Sequence, residues 1–188
     1  MFKKTLLALS VLVAPVQAAE VPPAMSQYIY GDLMRWINDP RIVEAVNAQN
    51  RQTASLTEAE ILERDAAWRA QLGTSSTDLI DRVINAPLSD FLRAHLQQSG
   101  GRITEVFVMD AKGLNVAASA VTSDYWQGDE AKFLETVPKG AGSVFVDEIE
   151  FDESTQTYQG QVSFAVTDPD SGQVVGAITV GLNAGSFL

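Results

Sequence analysis

The hydrophobic period of this chain changes once, at the glycine pair Gly100-Gly101, and that change limits what it can fold into. Ahead of the pair, apolar residues recur every three to four positions. Behind it they alternate. The first spacing builds helices with one apolar stripe, and the second builds strands whose side chains point to opposite faces.

Three helical stretches come first. "QYIYGDLMRWINDPRIVEAV" places Ile29, Leu33, Trp36, Ile37, Val43 and Val46 near a 3.6-residue period, with Pro40 as a kink or break. "LTEAEILERDAAWRAQLG" opens with a capping box, Thr57 and Glu60. It carries Ile61, Trp68 and Leu72 on one stripe and stops at Gly73. "DLIDRVINAPLSDFLRAHLQQSGG" carries Leu79, Ile80, Val83, Ile84, Phe91, Leu92 and Leu96, is interrupted by Pro87 and ends at the glycine pair.

The strands follow. "ITEVFVMD", the turn "KG" and "LNVAAS" make a hairpin. After the segment "TSDYWQGDE" (122–130), "AKFLETV" reads as a short helix. "SVFVDEIEF" and "TYQGQVSFAV" flank the polar turn "DESTQ" in a second hairpin, and "QVVGAITVGL" is the last strand after the turn "DPDSG". Five strands joined mostly by hairpins imply an antiparallel sheet, and the helices are expected to cover one face of it. The fold class is therefore α+β, helical over 26–99 and sheet over 102–183.

The first eighteen residues stand outside this scheme. "MFKK" supplies a positive start, "TLLALSVLVAPV" an apolar run, and "VQA" a small-residue cleavage signal with Val16 and Ala18 at the specified positions. Residues 1–18 read as a signal peptide, with an uncleaved membrane anchor as the alternative. A single domain is expected over 19–188, soluble in the periplasm or secreted, with no transmembrane span after cleavage. The formal charge of the whole chain is −11, and losing Lys3 and Lys4 with the peptide makes it more acidic. Nucleic-acid partners are therefore not expected, since binding phosphates needs clustered Lys and Arg. With 0 cysteines, disulfides, thiolate catalysis and zinc–thiolate sites are excluded.

Catalysis and metal binding find little support. The one histidine, His95, lies on an amphipathic helical segment, and no GxSxG-type elbow accompanies it. "GAG" at 140–142 lacks the length and the lysine of a phosphate loop. "DEIEFDE" at 147–153 would alternate Asp147, Ile149 and Phe151 against Glu148, Glu150 and Asp152. It reads as a solvated face near a hairpin tip rather than a calcium site or a glycosidase pair. No catalytic residue, metal ligand or cofactor is assigned.

"TSDYWQGDE" is the chemically dense stretch. Its two aromatics could plug the open end of the sheet. They could also wall a pocket, with Tyr125 and Trp126 as flat apolar surface, Asp124 and Asp129 as charge, and Thr122 and Ser123 as hydroxyls. An aromatic face beside carboxylates suits an ammonium group. Gln161 and Ser163 share a strand face with Ala165, and that face is expected to line the pocket.

"MDAKGLNVA" with "TSDYWQGDEAKF", followed by strands ending "GQVVGAITVGL", resembles the extracytoplasmic Cache domains, also called PDC sensor domains, over residues 26–185. The resemblance implies a long N-terminal helix, a five-stranded PAS-like sheet and a ligand pocket between the sheet and the loops after its second strand. It implies binding of an amine, amino acid or carboxylate, with the signal passed to receptors or kinases. Two features depart from the family. Its members are held between two transmembrane helices, whereas this chain ends at "GSFL". Its amino-acid binders carry an arginine just before their aromatic pair, whereas Ser123 and Asp124 precede Tyr125-Trp126 here and Lys132 is the nearest cation.

The expectation is therefore a non-enzymatic sensory module acting through a separate protein. The alternative is a ligand-free structural or protein-interaction module of the same fold. Tyr28, Ile29, Leu33, Trp36 and Ile37 on the first helix are expected either to form a homodimer, to dock on a membrane-bound sensor, or to be buried in the protomer.

Overall fold

The structure, a computed structural model, describes residues 21–152 and 157–188. The signal-peptide segment and most of the "DESTQ" turn lie outside these residues. The described chain is α+β.

Helix α1 (Pro23–Gly31) leads through a 3-10 turn (Leu33–Arg35) to α2 (Pro40–Thr53). Pro40 does not kink a helix but starts one. Its missing N–H costs nothing in the first turn, and the Asp39 carboxylate caps α2 by accepting the Arg41 N–H at 3.0 Å. Helix α3 (Glu58–Gln71) begins with the expected capping box. Glu60 accepts the Thr57 N–H at 2.8 Å, and Thr57 Oγ1 accepts the Glu60 N–H at 3.4 Å. Helices α4 (Asp78–Ile84) and α5 (Pro87–Gln98) meet at Pro87, which again opens a helix.

The strands are β1 (Ile103–Asp110), β2 (Asn115–Ala118), β3 (Val144–Val146), β4 (Glu150–Asp152), β5 (Thr157–Thr167) and β6 (Val174–Asn183), with the short α6 (Ala131–Leu134) between β2 and β3. All pairings are antiparallel, in the order β2-β1-β6-β5-β3, with β4 also on β5. The strand expected over 143–151 is split at 147–149, so β3 and β4 pair with successive stretches of β5. The alternation expected along 147–152 is broken there. The sheet is five positions wide but has six strands.

Asp110 holds the β1–β2 hairpin to α2. One oxygen of this fully buried carboxylate accepts the Lys112 and Leu114 N–H groups at 2.8 and 3.0 Å. The other accepts from Gln49 and Thr53 at 3.1 and 2.9 Å. Its desolvation is offset because both oxygens are occupied.

Helices cover both faces of the sheet, not the single face expected. Val106, Val108, Val162, Phe164, Ile178 and Val180 point toward α1, α2 and α5. Phe107, Met109 and Ala177 point the other way, toward Trp68 of α3, Ile80 and Val83 of α4, and Phe133 of α6. The physical reason is visible in β6, which is buried without interruption from Val175 to Leu182 and so needs apolar cover on both sides. On the first face Ile29, Leu33 and Ile37 are buried, and Tyr28 and Trp36 pack against the same core. The apolar stripe considered for pairing with another chain is thus turned into the protomer.

Candidate functional site

The second sheet face carries two neighbouring rows of side chains. Glu105, Gly181 and Gln161 align across β1, β6 and β5, and Phe107, Thr179 and Ser163 form the next row. Gly181 matters through what it lacks. A Cβ there would stand 2.7 Å from Glu105 Cγ and 2.6 Å from Thr104 Oγ1. Its absence lets the Glu105 side chain cross β6 and accept a hydrogen bond from Gln161 Nε2 at 2.8 Å.

Segment 121–132 passes over these rows and leaves a cavity of about 200 Å³. Glu105, Phe107 and Gln161 line it from the sheet, and Val121, Thr122, Ser123, Gln127 and Lys132 from the segment. Glu105 and Gln161 also border a larger hollow of about 460 Å³ toward β4, whose other walls include Asp147, Glu148, Glu150 and Phe151.

Lys132 is the chemically unusual member. Its side chain is only 14% exposed, where a surface lysine would be solvated. The ammonium is 2.8 Å from Glu130 Oε2, 3.3 Å from Gln127 Oε1 and 5.4 Å from the Phe107 ring centre. The carboxylate and the ring face stand where water would surround the ammonium of a surface lysine. A cation of this kind, lining one cavity with the Glu105 carboxylate, can bind an anionic group while the carboxylate accepts from a donor.

The structure separates the residues of "TSDYWQGDE". Thr122 and Ser123 border the cavity, as does Gln161 from β5. Tyr125 is buried in the core, stacked on Trp68 with ring centres 5.6 Å apart and planes 23° from parallel. Burial, and next the charge of nearby Asp110, push its phenol pKa up. Trp126 is half-buried and turned toward the β1–β2 turn, where its Nε1 donates to the Lys112 carbonyl at 2.8 Å. Its indole lies against Gly128 so closely that a Cβ there would collide with the indole nitrogen. Asp124 faces Arg69, at 2.8 Å, and Asp129 is exposed. Ser163 is fully buried, sharing a 2.9 Å hydrogen bond with Thr179. Ser163 and Thr179 thus satisfy each other instead of facing the cavity. Five of the eight residues expected around the ligand (Asp124, Tyr125, Trp126, Asp129 and Ser163) therefore do not line this cavity.

Asp65 of α3 sets the path of the segment. One of its oxygens accepts the Tyr125 and Trp126 N–H groups, at 2.9 and 3.0 Å. The other is bound by Arg69, which also reaches Asp124. Asp65 is only 3% exposed, and the Tyr125 amide it accepts from is buried with it. The sequence reading missed Glu105, Phe107 and Gln127 as lining residues. Alternation along "ITEVFVMD" does place Glu105 with Phe107 on one face, but only the sheet order brings Gln161 beside them. Among the described residues no group of three or more His, Asp or Glu side chains could hold a metal ion. No helix among them is long and apolar enough to cross a membrane.

No family model matches the chain, and neither does any curated protein sequence. Solved structures do. The sensor domain of the Vibrio cholerae histidine kinase DctB is 12% identical, with a TM-score of 0.42, over 86% of this chain and 53% of that one. The isoleucine-bound sensory domain of the Campylobacter jejuni chemoreceptor Tlp3 is 13% identical, with a TM-score of 0.41, over 89% and 66%. The ligand-binding domain of the Pseudomonas aeruginosa amino-acid chemoreceptor PctC, in complex with GABA, is 13% identical, with a TM-score of 0.44, over 77% and 59%. The chain spans between about half and two thirds of the length of these three. These three belong to one histidine kinase and two chemoreceptors.

Proposed function

We propose that this chain is a non-catalytic sensory module that binds a small carboxylate-bearing metabolite, an amino acid included, in the cavity between the sheet and segment 121–132. Residues 1–18 would export it to the periplasm or beyond, and a separate membrane-bound sensor would take up its signal. The observation that carries this reading is Lys132, a largely buried ammonium beside a cavity. It supplies the cation that the segment before Tyr125 lacks. A ligand carboxylate would take Lys132 from Glu130, while Glu105, Gln161 and the Thr122 and Ser123 hydroxyls would receive its donor groups. Polar groups that pair with each other can exchange those partners for a ligand at little net loss.

A second reading, a ligand-free structural module, draws on Tyr125. Its burial against Trp68 is what an aromatic plug would show. Thermal shift with a panel of amino acids, simple carboxylates and amines separates the two. A ligand at about 100 times its dissociation constant stabilises by about 2.7 kcal/mol. Carboxylate-bearing compounds are expected to raise the melting temperature, and Lys132→Met to remove that rise while leaving the unliganded protein folded. A rise that survives Lys132→Met, or one produced only by amines without a carboxylate, defeats the proposal.

A further inference from the structure

A second hollow, of about 280 Å³, lies where α1, the turn after it, the end of α5 and the start of β1 meet. Tyr28, Trp36 and His95 give it three rings, and Gln98 and Arg102 give it polar ends. It belongs to the helical layer that covers the first sheet face, so it shares no wall with the Lys132 cavity.

The groups around this hollow differ from those around Lys132 in one respect: several have no protein partner. Among the described residues, neither ring nitrogen of His95 makes a hydrogen bond, nor does the Gln98 amide. The Arg102 guanidinium has no carboxylate partner and lies 5.8 Å from the Tyr28 ring centre. One carboxylate, Asp32, also lines the hollow, but it is exposed to solvent and paired with Arg35 at 3.7 Å. The last-turn carbonyls of α5, which would repel an anion, are turned to Ser99. Its N–H bonds His95 O at 3.0 Å, and its hydroxyl bonds Leu96 O at 2.7 Å. Trp36 and His95 are stacked 4.2 Å apart at 14°, a flat pair at one wall.

We propose that this hollow binds a small aromatic carboxylate, its ring against Tyr28, Trp36 and His95 and its carboxylate on Arg102. The guanidinium fork matches a carboxylate in two parallel hydrogen bonds, which a lysine could not supply. Flat rings favour a flat ligand in offset or edge contact. Neutral His95 offers one N–H and one lone pair, so it can join the ligand or a bridging water. The volume suits a ligand with a single ring.

The test is a titration of the whole chain with benzoate, read by tryptophan emission, with benzamide as the uncharged analogue. Benzoate is expected to change the emission saturably and benzamide is not. Arg102→Gln, an exposed position, is expected to weaken the benzoate response at least tenfold, while Lys132→Met leaves it unchanged. No saturable change with benzoate overturns the proposal. So does an undiminished response in Arg102→Gln. A response lost in Lys132→Met also overturns it, because benzoate would then occupy the sheet-face cavity. The outcome for Arg102 leaves the Lys132 reading intact either way.

Discussion

Lys132 and His95 have both given up much of their water, and the protein treats them in opposite ways. Lys132 receives a carboxylate and a ring face, whereas His95 receives only rings. Burial first, and Arg41 second, push the His95 pKa below its ordinary value, with Asp39 opposing. In the window from about 6.5 down to that lower value, the unfolded chain binds the proton and the folded one does not. Stability should therefore fall as pH drops through that window. The carboxylates that shift, Asp39, Glu60 and Asp168, shift downward and titrate at more acid pH. Denaturant midpoints measured from about pH 7.5 to 5.5 should decline in the natural sequence, and more shallowly in His95→Gln. Equal slopes would show that His95 gains a compensating partner when protonated.

Between elements, the contact that governs the candidate site is the clamp from α3 to segment 122–126. Asp65 satisfies two backbone amides and is itself held by Arg69. Asp65→Ala leaves both amides without this acceptor, the buried one of Tyr125 included, at a cost on the order of 3 kcal/mol. Asp65→Asn keeps an acceptor and loses mainly the pairing with Arg69, whose side chain is 59% exposed, so about 1 kcal/mol is expected. Urea denaturation of the two variants checks the order. If Asn costs as much as Ala, the charge rather than the acceptor geometry holds the segment. None of this was legible in the sequence. Asp65 sits in "ERDAAW" among other charges, and sixty positions separate it from Tyr125. The capping box at Thr57, by contrast, was legible because both partners lie within one turn.

At the scale of the whole molecule, α1 and the turn after it decide whether residues 28–37 offer an apolar stripe to a partner. Ile29 and Leu33 are fully buried and Trp36 is edge-on to Phe91, with ring centres 6.2 Å apart. A residue engaged in this way contributes to folding rather than to pairing. Trp36→Ala should lower stability by about 2 kcal/mol, less than a fully buried tryptophan, and the melting temperature by on the order of 5 °C. Sedimentation should give the same mass for both proteins. A mass that drops on substitution would mean that Trp36 lies in an interface between copies.

What the sequence determined by itself is local. The change of hydrophobic period placed the helices ahead of the strands, Thr57 marked a helix start, and the alternation in "TYQGQVSFAV" set Gln161 and Ser163 on one face. Each of these depends on neighbours within a few residues, where backbone geometry and capping act. What only the tertiary structure decided is which surfaces meet. Strand order put Glu105, Gly181 and Gln161 in one row. The two-sided burial of β6 drew helices to both faces, and the Asp65 clamp turned Tyr125 into the core while Thr122 and Ser123 stayed at the cavity. The same nine residues, "TSDYWQGDE", could plug a core or wall a pocket. They do some of each, because an amide held by a distant carboxylate sets the direction in which each side chain leaves the backbone.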